Sequence, residues 1–137
     1  MSTTADAYEV TTDTDRIDLQ LVHRWLSPFW AVPRTLETVT KAAHGSINFA
    51  AFTHDGEQVA YARVVTDHAT FAWLCDFYVD HDQRGCGLGT RLARDVVNHL
   101  RPMGLARVML TTVDAHDLYR RVGFETTRHP DRLMLLT

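Results

Sequence analysis

Arg84-Gly85-Cys86-Gly87-Leu88-Gly89-Thr90 decides how this chain is read, because of what stands on either side of it. Before it, Phe71 to Val79 has the aromatic and apolar content of a strand; after it, Leu88, Leu92, Val96 and Leu100 recur at helical spacing. The three glycines therefore stand where a strand hands over to a helix. A helix start presents unpaired backbone N–H groups and the positive end of the helix dipole, and glycines let an anion approach them closely. The arrangement predicts a phosphate cradle.

Spacing narrows the kind of phosphate compound. The dinucleotide pattern G-x-G-x-x-G fails, since Gly85, Gly87 and Gly89 give G-x-G-x-G without the expected N-terminal strand. The Walker pattern fails too, because no Lys-Ser or Lys-Thr pair follows. What remains is R-x-x-G-x-G, opened by Arg84. It resembles the acetyl-CoA pyrophosphate loop of the GNAT superfamily of N-acetyltransferases. A second block, Asp114 to Phe124, is similar to that superfamily's A-x-x-x-Y-x-x-x-G-F stretch, with Ala115, Tyr119, Gly123 and Phe124 at the matching positions. Its Thr-x-Asp-Ala-His-x-Leu-Tyr form, Thr112 to Tyr119, resembles a bacterial subgroup. The resemblance covers residues 47–128. One departure is Thr112, where many relatives carry Asn; a hydroxyl can still bond a pantetheine amide, with fewer donors and acceptors.

The resemblance implies an α/β fold: a mixed, mostly antiparallel sheet with helices on both faces, its fourth and fifth strands splayed apart. It implies acetyl-CoA as acetyl donor, with the pyrophosphate over Arg84, Gly85, Cys86, Gly87, Leu88, Gly89 and Thr90. The pantetheine arm would enter the gap beside the backbone of Phe77, Tyr78 and Val79 and reach Thr112 and Tyr119. The implied reaction is acetyl transfer to a primary amine by direct attack in a ternary complex, with no metal.

Composition bounds the alternatives. At 137 residues the chain is expected to be one domain, 1–137, with 1–6 as a flexible tail. A net charge of −3 with mixed signs argues against nucleic acid as partner. No apolar run reaches the length of a membrane span, and residues 1–15 are polar and acidic, unlike a signal peptide. Cys75 and Cys86 suggest no disulfide framework, so a cytoplasmic protein, monomer or homodimer, is expected.

Along the chain, Tyr8 to Val10 reads as a first strand, and Asp15 as the cap of a helix carrying Ile17, Leu21, Val22, Trp25 and Leu26 inward. Arg34 to Ala43 reads as a second helix stopped at Gly45. Ile47–Thr53 and Gln58–Val65 form a hairpin around Asp55-Gly56, with Phe71–Val79 following. Arg107–Thr112 is the fifth strand and Ala115–Val122 the last helix, capped by Asp114. Phe124–Arg128 and Leu133–Leu136 are expected to close the sheet.

The chemistry makes two demands. An alkyl amine with a pKa near 10.4 is neutral in about one molecule in a few thousand at pH 7, a cost of roughly 4–5 kcal/mol before attack. Protonating the leaving sulfur helps by the ~10²–10⁴ typical of a general acid. Tyr119 is the candidate acid, by its match to the family tyrosine; the plainer role is a core aromatic. Asp76 stands in a strand apolar on both sides, where a charge is costly unless paired. It is either the base, directly or through a water, or a structural carboxylate paired with an arginine or backbone N–H groups.

Of eight histidines, His116 falls near the presumed cofactor or simply at an exposed helix position, and His23 on the acceptor side or in water; the rest look solvated, and none shows zinc-ligand spacing. Trp25, Phe29 and Trp30, with Pro28 and Pro33, occupy the segment that walls the acceptor cleft in the resembled fold, and either form an apolar pocket there or fill the space between helix and sheet. Asp67 and Glu37 offer charge to a cationic acceptor, or serve a turn and a solvated helix start. A small-molecule amine and a protein amine are both open. The rival readings are a non-catalytic acyl-CoA-binding sensor and a protein- or RNA-directed acetyltransferase.

Overall fold

Residues 7–137 are described by a computed structural model; the expected tail, residues 1–6, lies outside the described residues. Val59, Ala60, Tyr61, Ala62 and Val64 are all fully buried, and a strand apolar on both sides belongs in the middle of a covered sheet. That strand, β3 (Gln58–Thr66), is the centre of a five-stranded sheet ordered β1 (Glu9–Thr11), β2 (Ile47–Phe52), β3, β4 (Phe71–Val79), β5 (Arg107–Met109). The first four strands pair antiparallel, and β5 joins β4 in parallel.

Helices cover both faces, as predicted. On one side Ile17, with Val22 and Leu26 of α1 (Leu19–Leu26) and Val39 of α2 (Leu36–His44), packs on Ala50, Phe52 and Tyr61. On the other, Leu88, Leu92 and Val96 of α3 (Leu88–Leu100) and Tyr119 of α4 (His116–Arg120) meet Phe49, Ala62, Val64 and Leu74. Each large apolar side chain so buried contributes about 1.5–3 kcal/mol. Asn48, fully buried, ties α2 to β3 on the first of these faces: its amide donates to the Ala43 carbonyl at 2.8 Å and its oxygen accepts from the Tyr61 hydroxyl.

Several expected boundaries move. The cap of α1 is Asp18, which accepts the Leu21 N–H at 3.1 Å, not Asp15. Ile17 must reach the core, so its extended backbone breaks the helix there, and Asp15 falls in a short 3-10 turn, Thr14–Arg16. Thr35 caps α2, leaving Arg34 outside it. At the C-terminal end β5 stops at Met109, and the two closing strands do not form. Pro130, which lacks an N–H, opens a 3-10 turn, Pro130–Arg132, and Met134, Leu135 and Leu136 beyond it are almost fully exposed.

Two irregularities shape the site. The β4–β5 ladder runs only from Phe71↔Arg107 to Trp73↔Met109, so Leu74–Val79 continues with no β5 partner and the strands part. On the β3 side, Tyr61 pairs Tyr78 and Arg63 pairs Cys75, which leaves Asp76 and Phe77 opposite Ala62 alone. Asp76 takes the left-handed φ of +50° at this bulge, a conformation that Asp tolerates better than most residues. The bulge reverses the alternation: Leu74 before it and Phe77 and Val79 after it face α3, while Tyr78 faces α1. No helix among the described residues is long and apolar enough to cross a membrane.

Candidate active site

The glycine loop folds as an anion cradle. Gly85 and Gly87 have φ of +83° and +86°, backbone that a β-carbon strains. Gly87 is the N-cap of α3 and offers no side-chain bond, so the N–H groups of Leu88, Gly89 and Thr90 are uncapped below the first helical bond, Arg91 N–H to Gly87 O at 3.0 Å. Gly89 is glycine for another reason: a Cβ there would stand 2.9 Å from Leu118 Cδ1, where α4 packs on α3. The Arg84 side chain is engaged with the end of β4. Its Nε donates to the Val79 carbonyl at 3.0 Å and its guanidinium lies 5.4 Å from the centre of the Tyr78 ring.

A knot of contacts holds the loop to the start of the chain. The Tyr8 hydroxyl bonds Gln83 and approaches the Cys86 sulfur at 3.4 Å, and that thiol donates to the Gln83 carbonyl at 2.8 Å. The contact with Cys86 raises the Tyr8 hydroxyl to about 12. Nothing in the sequence signalled this role for Tyr8.

Tyr119 closes the wall of the gap. Its ring meets Phe77 edge-on at 5.6 Å and Phe124 at 5.9 Å. Burial, and then the negative charge of Asp114, push its hydroxyl up to about 12, so it stays protonated at neutral pH. Asp114 itself does not cap α4; instead the Thr112 hydroxyl accepts the Ala115 N–H at 3.0 Å. Thr112 thereby keeps its own O–H to donate. A cleft of about 620 Å³ beside β5 is lined by Thr112, exposed His116 and Tyr119. A second, of about 490 Å³, lies at the far end of α3 between Val97, Leu105 and Phe124, away from the glycine loop.

On the opposite face of β4 the bulge presents Asp76 to two arginines. Arg63 Nε donates to Asp76 Oδ2 at 2.9 Å, and Arg34 Nη1 stands 3.5 Å from the same oxygen. Pairing with arginine, one of the two roles expected for Asp76, is what these side chains form. Arg63 also donates to Ser46 Oγ at 3.0 Å. Arg34 lies 4.4 Å above the Trp30 ring, and its carbonyl is 2.7 Å from His23 Nε2, so His23 is an anchor rather than a solvated side chain. Burial raises the neighbouring Cys75 thiol to about 11.

Trp25 stacks on Tyr78 at 5.0 Å, and Phe29, largely exposed, tilts against the same ring at 6.1 Å. Asp67, by contrast, serves its turn. It accepts the Thr70 hydroxyl and the N–H groups of Thr70, Ala69 and Phe71, bonds that hold its carboxyl far below the usual range. Glu37 is exposed in the first turn of α2, where a negative charge suits the helix start. Arg63 was legible in principle, since a strand carboxylate needs a cation and Arg63 lies on the adjacent strand. Arg34 had no such signal. No group of three or more His, Cys, Asp or Glu among the described residues is placed to hold a metal ion.

Comparison with known proteins agrees with this geometry. The sequence profile of the acetyltransferase (GNAT) family matches residues 19–124. A structure from Xanthomonas campestris pv. campestris, described as a candidate acetyltransferase of the GNAT family, is 40% identical with a TM-score of 0.86, covering 95% of this chain and 92% of that one. A candidate acetyltransferase from Deinococcus radiodurans shares the fold at 22% identity and a TM-score of 0.75, covering 100% and 92%. A Mycobacterium tuberculosis protein solved in complex with CoA shares it at 18% identity and a TM-score of 0.70, covering 88% and 75%. None of the curated proteins matches the chain. The profile spans most of the chain and the Xanthomonas relative nearly all of it: the chain belongs to the GNAT family of acetyltransferases.

Proposed function

We propose that this protein transfers the acetyl group of acetyl-CoA to a primary amine, with amine and thioester bound together and the amine attacking directly. The observation that carries the reading is the gap: β4 and β5 part after Trp73 and Met109, uncapped N–H groups of α3 stand at one end, and Tyr119 touches Phe77 in the wall. Acetyl-CoA, when bound, supplies an acyl group on a sulfur that leaves readily. Leu88, Gly89 and Thr90 would hold its diphosphate through backbone N–H groups, helped by the dipole of α3. The unpaired edge of β4 beyond Trp73 offers backbone groups to an extended arm, and Thr112 offers a hydroxyl donor.

Tyr119 holds its proton at the point where charge develops on the departing sulfur. With its hydroxyl near 12 against a thiol of about 8.5, complete transfer would run uphill by roughly 5 kcal/mol, so Tyr119 acts chiefly as a hydrogen-bond donor. Asp76, already facing two guanidiniums, serves as their anchor; the amine loses one proton to solvent before it attacks, the C–N bond forms as the C–S bond breaks, and the second N–H proton passes through solvent to the departing thiolate. The acceptor, a small molecule or a protein amine, enters beside Trp25, Phe29 and Tyr78. Initial-rate kinetics test the reading: reciprocal plots against acetyl-CoA at several amine concentrations should intersect, whereas parallel lines would mean an acetylated enzyme and remove direct attack.

A further inference from the structure

We infer that Arg34 binds an anionic group, carboxylate or phosphate, carried by the amine acceptor, so that the acceptors of this enzyme are amines with an acidic substituent. The inference rests on the acetyl-transfer reading for the amine, and on charge, allocation and placement for the anion.

The cluster at the β4 bulge holds two guanidiniums and one carboxylate, Arg34, Arg63 and Asp76, and the neighbouring Cys75 thiol stays protonated. One positive charge is left over. Its location follows from how the donors are used. Arg63 gives Nε to Asp76 and Nη1 to Ser46, and its side chain is only 13% exposed. Arg34 lies beyond hydrogen-bond length from Asp76 at 3.5 Å, is 37% exposed, and its guanidinium makes no hydrogen bond among the described residues. It has five N–H donors in a planar fork that matches a carboxylate or phosphate.

Arg34 is also held in place before any ligand arrives. Its guanidinium carbon lies over the Trp30 ring, 4.4 Å from the centroid, and His23 fixes its carbonyl at 2.7 Å. A side chain held against a ring in this way loses less entropy on binding than a free one. Asp76 is followed by Phe77, whose ring contacts Tyr119, so the arginine cluster and the wall of the gap are carried by one stretch of β4, on its two faces. A polycationic acceptor finds no welcome here. The cluster's one carboxylate is already matched, and Asp67 is consumed by its own turn.

The test uses matched pairs of amines. Glycine, β-alanine and 4-aminobutanoate are compared with their amides, and phosphoethanolamine with ethanolamine, by calorimetry on the CoA-loaded protein and by initial rates with acetyl-CoA. At least one acid should bind about tenfold or more tightly than its neutral partner, and the pair that shows this tells carboxylate from phosphate. In Arg34→Gln the preference should vanish, with the KM for that acid rising on the order of 10–100-fold. Arg34→Lys should keep part of it. Melting temperature and CoA affinity check that the variants are folded; Arg63 still neutralises Asp76 in both. Equal binding of acids and neutral amines, binding of neither, or a preference that survives in Arg34→Gln overturns the inference. Acids that bind with preference but yield no N-acetyl product leave the anion site standing and remove acetyl transfer. Amides acetylated as well as acids do the reverse.

Discussion

Arg63 Nε stands 2.9 Å from Asp76 Oδ2 across the β3–β4 ladder, at the point where the bulge puts Asp76 in a left-handed conformation. Strand irregularity and ion pair are therefore one feature. Without the bulge the carboxylate would be carried to a different position along β4, and without the carboxylate two guanidiniums would face each other beside the half-buried Cys75. Asp76→Asn should lower stability by about 2 kcal/mol, or roughly 5–10 °C in melting temperature, while leaving acetyl-CoA affinity nearly intact. The folded fraction should still turn over at high pH, where the amine is neutral. A variant of unchanged stability whose rate collapses most at low pH would instead make Asp76 the base.

Gly87 and Gly89 are expected to behave differently despite belonging to one motif. Gly87→Val places a β-branched side chain at a φ of +86° in the anion cradle, so CoA affinity should fall at least about 100-fold in a protein that still folds. Gly89→Ala pushes only on Leu118 Cδ1, the far end of a side chain that can rotate, and should cost less than tenfold. Calorimetric titration of both variants with CoA decides this, and wild-type affinity in Gly87→Val would displace the diphosphate from the loop.

Tyr119→Phe keeps the ring contacts with Phe77 and Phe124 and removes only the hydroxyl. Stability should change little while kcat falls by on the order of 10²-fold, provided chemistry limits the rate. Because the hydroxyl is held near 12, the pH–rate profile of the wild type should rise with amine deprotonation and show no alkaline loss due to Tyr119 below about pH 11. An unchanged kcat removes the tyrosine from the mechanism.

The same shift has a consequence for stability at high pH. Tyrosine in the unfolded chain loses its proton near 10, whereas Tyr8 and Tyr119 keep theirs to about 12 when folded. Above pH 10 the unfolded state thus binds fewer protons than the folded one, and the contribution of these groups, complete below pH 10, is lost as pH climbs to about 12. Urea unfolding at pH 9, 10 and 11 should show stability falling over that range, less steeply in Tyr119→Phe. Identical slopes in the two proteins would assign the loss to other groups.

What could be read from the sequence was what local chemistry determines. The strand–glycine–helix unit around Gly87 and the hairpin at Gly56, with its φ of +87°, stand as expected, since each depends on residues within a few positions. Phe124–Arg128 and Leu133–Leu136 were expected to close the sheet, and a three-residue β5 together with Pro130 left them nothing to pair with. At the site, Asp76 was conspicuous as a charge in an apolar strand and Arg63 on the adjacent strand was within reach of that reading, but Arg34 comes from the segment before α2, distant in sequence. Tyr8, which meets Cys86 of the glycine loop from 78 residues away in sequence, was invisible for the same reason.

The central claim is that acetyl leaves CoA for an amine in this gap, and amine-dependent release of free thiol, with the N-acetylated amine identified by mass spectrometry, tests it most directly. With acetyl-CoA and the acidic amines above, the account predicts thiol and N-acetyl product in equal amounts, both reduced about a hundredfold in Tyr119→Phe. A protein that binds acetyl-CoA tightly yet releases thiol at the same slow rate with and without every amine contradicts it, and would make this chain a binder of acyl-CoA rather than an acetyltransferase.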